Sequence, residues 1–486
     1  MEETKNLLGL TLLPAAIVGA TALAVVSFRI RDIFFILLVV LTIMTFKLDV
    51  NFVSREWYRG TTRGFEFSSV DILAISVFLS SFFRPRPGYK RLYWPPGFGF
   101  MLLFFCFACF SVAVSTPKLF GFFELSKMLR GMIVFMAAAL FVQSPRELRI
   151  LIFGIAFVVC WQGLLALEQR YHQHIHRVPG MLVDPNSLSM YLCLTAPALV
   201  AAVTSDLPKF LKYCCSAAML LAGVAIVLTI SRTGVVTMVL VMLGATLACA
   251  SLKFTVKKAA LSLVVILAAC GIFIKAWPTL AARYNESSLT QEYRGKGQGR
   301  GYYLRIAAAI AHDRWLGVGL NNWSYWVSNE YGPQLGWRFV PYIGTDKYPS
   351  DAVPSGRNLD AAQAAPAHNL GALTLGELGP PGLFLFSLVW LRWFQMGLSF
   401  FWKRSPDPML RLGVGFFFCT CGIFLESLTE WVYRLTPIFF TFNILMGALA
   451  SLYYLKRARK RKEVEQMRRE AEFAADQFGG LSISRA

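Results

Sequence analysis

Residues 8–28 read LGLTLLPAAIVGATALAVVSF, twenty-one positions without a charge. At a rise of about 1.5 Å per residue, a helix of this length matches the ~30 Å hydrocarbon layer of a bilayer. The residues before it open MEETK, and no small-residue cleavage site ends it, so it is expected to stay attached as a membrane span. Apolar runs of roughly 14 to 25 residues recur along the whole chain, continuous rather than alternating, which fits spanning helices and not the strands of a membrane barrel.

Of the 486 residues, 56% are hydrophobic, 41 are Phe and only 16% are charged, whereas a soluble domain is about a quarter charged. The expected fold is all-α, a polytopic transmembrane helical bundle of about 12–13 spans with one large, partly helical outward loop. The spans are expected near 8–28, 30–46, 70–83, 97–115, 127–143, 149–166, 187–204, 210–230, 234–251, 258–275, 370–396, 411–428 and 436–455. Four regions follow: spans one to ten over 1–275, the loop over 276–367, the last three spans over 368–455, and a basic tail over 456–486. All ten cysteines, including Cys106, Cys109, Cys214, Cys215, Cys419 and Cys421, fall in apolar runs and read as small hydrophobes.

Orientation follows from the excess of Lys and Arg in cytoplasmic loops. KRARKRK (456–462) is the strongest such signal and puts the C-terminus inside. Counting back, RIRD (29–32), RPRPGYKR (84–91), SPRELR (144–149), KFTVKK (253–258) and KRSPDP (403–408) fall on the same side, and the N-terminus falls outside. Segments 47–69, 116–126, 168–186, 231–234, 276–367 and 429–435 then face outward. The net charge of +20 belongs to this inner rim and to a tail that is either simply hydrated or lies on anionic lipid. Nucleic acid is a poor partner, because no soluble basic domain exists to present such a surface.

A connection as long as 276–367 inside a compact bundle is usually functional. Within it, RGYYLRIAAAIAHDRW (300–315) has a helical pattern that puts Tyr303, Ala307, Ile310 and Arg314 on one face, and LGVGLNNWSY (316–325) reads as its turn-rich stop. Arg283, Arg294, Arg300, Arg305, Arg314, Arg338 and Arg357 accompany aromatic residues through the loop. Guanidinium forks bind phosphate oxygens in pairs, and aromatic rings stack on pyranose faces, so the mixture suits a ligand with both phosphate and sugar. The competing reading pairs these arginines with acids such as Glu286, Glu292 and Asp313.

Several polar residues stand where apolar ones are expected. Arg232, in LTISRTGVV (228–236), lies at the outer boundary, the wrong side for ordinary positive-inside snorkelling, which favours binding of something anionic. His368 heads the stretch HNLGALTLGELGPPGLFLF (368–386), near the first turn of span eleven. A helix N-terminus disfavours imidazolium, and a neutral imidazole is what a general base requires; the alternative is a histidine merely bonded to a neighbouring loop. Glu377, nine residues on, lies about 13 Å down that helix and needs a partner, an arginine before others. GPPG (379–382) then weakens the helix.

Glu426, Glu430 and Arg434 recur every four residues and are expected on one face, either orienting the site or pairing with each other. YHQHIHR (171–177) offers His172, His174 and His176 at alternate positions, as one side of a strand, but without a nearby carboxylate or thiol a metal is not expected. In VDPNSLSMYL (183–192), Asn186 or Ser187 is expected to cap span seven, with Asp184 a further site candidate. No Walker loop, dinucleotide fingerprint or outward Asp-x-Asp signature is present, so no cofactor is implied and the energy for any reaction must arrive with the substrate.

SRTG (231–234), RGYYLRIAAAIAHDRWLGVGLNN (300–322), HNLGALTLGELGPPG (368–382) and DPNSLSMYL (184–192) resemble the motifs of the O-antigen ligase and O-antigen polymerase superfamily. The resemblance implies an inverting, metal-independent glycosyltransferase of the bacterial inner membrane. Its active site would face the periplasm, taking a glycan from undecaprenyl diphosphate and passing it to an acceptor hydroxyl on a glycolipid, a glycan or a protein. It implies that Arg232 binds the diphosphate, that His368 engages the acceptor hydroxyl, and that a loop arginine completes the set. Counting back from LGVG favours Arg300, with Arg305 close behind; DRWLGVG stands where the family pattern has a proline. Asn369, Glu377, Glu426, Glu430 and Asp184 are secondary candidates. Ligase, polymerase and protein O-oligosaccharyltransferase share these residues. A transporter of lipid-linked glycan, the alternative of another class, would show two related halves with paired broken helices, and no such repeat is seen in the sequence.

Overall fold

The structure is a computed structural model that describes residues 2–44, 49–182, 184–249, 281, 300–337, 339, 363–401 and 405–479. The expected span 258–275, KFTVKK, and Arg283, Arg294, Arg338 and Arg357 lie outside the described residues.

The chain is an all-α multi-pass bundle. Its principal helices are α1 (Glu2–Val26), α2 (Phe28–Leu41), α3 (Ser69–Phe83), α4 (Phe98–Val114), α5 (Leu119–Phe141), α6 (Pro145–Tyr171), α7 (Pro185–Val203), α8 (Lys209–Leu228), α9 (Arg232–Cys249), α10 (Arg300–Asp313), α11 (Leu370–Leu398), α12 (Pro408–Ser427) and α13 (Thr436–Gly479). Between α2 and α3, β1 (Val50–Phe52) and β2 (Phe65–Phe67) form an antiparallel hairpin. Helix starts are written locally. Ser144-Pro145, Asp184-Pro185 and Asp407-Pro408 each pair a capping side chain with a proline whose missing N–H would have had no helical partner.

Seven described helices, α6 to α9 and α11 to α13, are long and apolar enough to cross a membrane; Thr11–Val26, α3 and α4 are shorter apolar helices. The other expected spans fall on α1 to α5, and 258–275 lies outside the described residues. The sharpest difference is α5, which begins at Leu119 inside the expected outer loop 116–126 and carries buried Glu124, Lys127 and Arg130. The expected span begins only after Glu124, a charge that is here neutralised in place by Lys127 and Arg434.

Helix α7 is the hub, buried along almost all of Ser187–Ala202 and packed by α6, α8, α9 and α12. Small residues permit the closest crossing: a Cβ on Gly422 of α12 would stand 2.4 Å from the Cys193 carbonyl oxygen of α7. A second pair, α5 and α13, is joined by α3 on one side, and α11 bridges α4, α10 and α12.

The basic segments gather at one end. Arg86 pairs with both Asp32 and Glu147, Arg146 reaches Asp32 at 2.8 Å, and Arg459 reaches Asp407 at 3.3 Å. The opposite end collects the β-hairpin, the 115–118 and 172–184 connections, α10 and residues 428–435, joined by bonds such as Trp326 Nε1 to the Thr116 carbonyl at 2.9 Å and Thr436 Oγ1 to Glu66 at 3.2 Å.

Candidate active site

The site forms at the second of these ends, around the start of α11. Asn369 caps that helix, its side-chain oxygen accepting from the Ala372 N–H at 2.8 Å while its amide donates to the Leu428 carbonyl at 2.7 Å. This double tie fixes His368 beside the turn that follows α12. In that turn the Glu426 carbonyl accepts from the N–H groups of Thr429 and Glu430, each at 3.0 Å. Glu430 comes to lie 2.6 Å, through Oε2, from His368 Nδ1. Its other oxygen accepts from Asn186 Nδ2 at 2.9 Å and faces Arg300 Nη2 at 3.5 Å.

One buried carboxylate therefore joins an imidazole, a guanidinium and an amide from three other parts of the chain. Glu430 is 4% exposed, whereas the His368 side chain is 37% exposed. The orienting group is inside and the imidazole remains reachable. A carboxylate that receives Nδ1–H selects the tautomer whose Nε2 lone pair can accept a proton. Tyr303 lies beside them with its ring 5.6 Å from the imidazole, and burial, then the charge on Glu430, push its hydroxyl pKa above the ordinary value.

Arg300 is the first residue of α10 and Arg305 is exposed, about 140° further round the helix at 3.6 residues per turn. The structure thus separates the two loop candidates. Arg232 opens α9 behind Ser231, whose hydroxyl accepts from the Gly234 N–H at 3.3 Å. The same turn packs on Ser189 of α7, and Ser189 donates to Glu426 Oε1 at 3.1 Å, one turn before Glu430. Arg177 donates to Asn186 Oδ1 at 3.1 Å and to the Thr229 carbonyl at 3.4 Å. It extends the polar set toward the α8–α9 turn. Arg177 and Asn186 were not read as site residues from sequence; only the bond of Asn186 to Glu430, 244 positions further on, and that of Arg177 to Asn186 mark them.

Beneath the site lies a second ionic cluster. Arg434 bonds Glu377 at 2.6 Å and Glu124 at 3.0 Å, and Lys127 bonds Glu124 at 2.7 Å. Burial alone would lower the Arg434 pKa, but Glu124 and Glu377 outweigh it and hold it above the ordinary value. Arg434 is thus the arginine partner of Glu377. The single face expected for Glu426, Glu430 and Arg434 does not exist: α12 ends at Ser427, Glu430 sits in a turn, and Arg434 closes a 3₁₀ turn that points it elsewhere.

The stretch GELGPP breaks α11 as expected and has a defined partner. Pro380 and Pro381 have no N–H for the carbonyls of Gly376 and Glu377, four residues earlier. Those carbonyls accept instead from Val318 N at 3.0 Å and Gly319 N at 2.8 Å, in the turn after α10. The approach requires glycine: Gly379 has φ 66°, and a Cβ there would stand 2.0 Å from the Trp315 carbonyl oxygen. Next in the chain, Asn321 donates to the carbonyls of Thr62 (2.9 Å) and Phe120 (2.8 Å). LGVGLNN is therefore a clamp that seats α10 on the bundle.

Other expectations need correction. Asp184, not Asn186 or Ser187, caps α7, accepting from the N–H groups of Asn186 (2.8 Å) and Ser187 (3.1 Å). His172, His174 and His176 occupy an exposed turn rather than a strand. Arg314 lies past the end of α10, over the Trp326 ring at 4.0 Å and 3.7 Å from Glu330, not on the helix face with Tyr303. Tyr302, Ile306, Ala307 and Ile310 form the buried side.

Residues 217–387 match the family model described as O-antigen ligase. The match supports the O-antigen ligase superfamily. The chain is similar to that family over these residues. No curated protein matches it. The matched O-antigen ligase span contains Arg232, Arg300, the clamp and His368, whereas Asn186 and Glu430 lie outside it.

Proposed function

We propose that the protein transfers a glycan from a polyprenyl diphosphate to an acceptor hydroxyl, with inversion and without a divalent ion, at the periplasmic face of a bacterial inner membrane. The observation that carries this is the Glu430 carboxylate, shared between an accessible imidazole at 2.6 Å and a guanidinium at 3.5 Å. A proton acceptor and a phosphate-binding cation are thereby held in one frame.

In the proposed reaction His368 Nε2 takes the proton of the acceptor hydroxyl as its oxygen attacks the anomeric carbon. The bond from that carbon to the diphosphate oxygen breaks on the opposite face, so the configuration inverts. Negative charge gathers on the departing diphosphate, where Arg300 and Arg232 stabilise it without reorganising. Glu430 keeps the imidazole oriented and stabilises the imidazolium that forms. The basic end of the bundle, with the C-terminus, would face the cytoplasm.

Reconstitution in liposomes with a purified polyprenyl-diphosphate glycan, a hydroxyl acceptor and excess chelator tests the reading. Transfer with inverted anomeric configuration is expected. Retained configuration, or full activity after His368→Ala, would overturn it. In cells, loss of the gene leaves lipid-linked polymer unattached if the acceptor is a glycolipid, and single repeat units if the enzyme polymerises.

A further inference from the structure

The basic end of the bundle carries a cleft that glycan transfer does not use. It lies where α2 begins, α3 and α5 end, and residues 84–91 cross, and its polar lining is Arg31, Ser81, Arg86, Tyr89, Lys90 and Gln143. Ser81 is 5% exposed and its hydroxyl has no hydrogen-bond partner among the described residues. Arg31 is 2% exposed and is held by carbonyls rather than by a carboxylate, donating to Ala24 at 3.3 Å and Arg84 at 2.9 Å. Arg86 takes both nearby carboxylates, Asp32 and Glu147, and the Tyr89 hydroxyl donates to Glu147 at 2.7 Å. Arg31, Arg84, Lys90 and Arg146 add positive charge around these two acids, so the cleft keeps a cationic surplus.

We propose that this cleft binds a phosphate group, carried by an anionic phospholipid head or free in solution. Guanidinium, ammonium and hydroxyl donors lining one cleft match the oxygens of a phosphate. Phe83, Leu92 and Trp94 beside it are 57%, 55% and 63% exposed. Large apolar and indole side chains left bare next to cations mark the headgroup level of a bilayer. Bound there, a phosphate would supply the acceptor that Ser81 lacks and tie α2, α3 and α5 together.

The test uses the full chain in detergent, with two arms. Native mass spectrometry with added phosphatidylglycerol or phosphatidylcholine reads lipid retention, and calorimetric titration with inorganic phosphate reads the free ion. Ser81→Ala and the exposed Lys90→Ala are each expected to weaken binding about tenfold, the loss of one charge-assisted hydrogen bond, with helical content unchanged. Arg31→Gln goes further, and if it fails to fold the other two variants still decide. Selective retention of phosphatidylglycerol, reduced by these variants, identifies the lipid head; phosphate binding reduced by the same variants identifies the free ion. No binding in either arm, or binding indifferent to all three substitutions, overturns the site.

Discussion

At the level of single residues, His368 and Glu430 form a unit whose halves come from different helix ends, 62 positions apart. His368→Ala is expected to slow transfer by about 10²–10⁴-fold, the usual contribution of a positioned base, while donor affinity measured by lipid co-purification stays near wild type. Glu430→Gln keeps the shape but removes the charge that orients the imidazole and faces Arg300. Both the catalytic rate and donor affinity should therefore fall, by about tenfold or more each, a combined signature that His368→Ala does not give. His368 was legible because a polar dipeptide interrupts apolar sequence. Glu430 was legible only as a candidate, and its true partners were not, since spacing suggested Arg434 on a continuing helix. The helix ends at Ser427, before either Glu430 or Arg434.

Among the elements, α10 and α11 hold each other through two peptide N–H groups and two carbonyls released by Pro380 and Pro381. Replacing Gly379 by Ala would place a methyl against the Trp315 carbonyl in a backbone conformation (φ 66°, ψ −176°) that essentially only glycine adopts and that by itself costs about 1–3 kcal/mol. The expected outcome is a lower melting temperature, faster proteolysis within 300–337 and lost transfer, with far-ultraviolet circular dichroism nearly unchanged. Equal resistance to protease would count against the clamp. The existence of α10 and the break in α11 were both readable from local pattern. That one repairs the other was not, because a hydrogen bond across some sixty residues leaves no mark in either stretch.

For the whole molecule, the helical class and the grouping of the described basic loops at one end follow from composition and charge, whereas the buried charge between the helices does not. Hydropathy takes Glu124, Lys127, Glu377 and Arg434 one at a time, yet the fold places them together as a buried network across α5, α11 and the last turn before α13. Removing one member leaves unpaired charge in a low-dielectric interior. Arg434→Met is expected to destabilise the chain by about 3–5 kcal/mol, read as a fall in melting temperature and expression, and Arg434→Lys should recover part of it. Sidedness is checked by cysteines placed at His174 and Lys460: an impermeant maleimide applied to spheroplasts should label the first and not the second. The reverse pattern would turn the protein over and remove the periplasmic assignment.

The exchange of bonds at the α11 break also bears on how the chain is made. Residues 317–319 leave the ribosome before 376–381, on a segment that ends on the same side of the bilayer as the start of α11. When that helix enters the membrane, the groups that will cover its two bare carbonyls have already been synthesised. A circular permutant opened between these segments, with α11 made first, would present those carbonyls to lipid with nothing to meet them, and its insertion should stall where that of the natural chain does not.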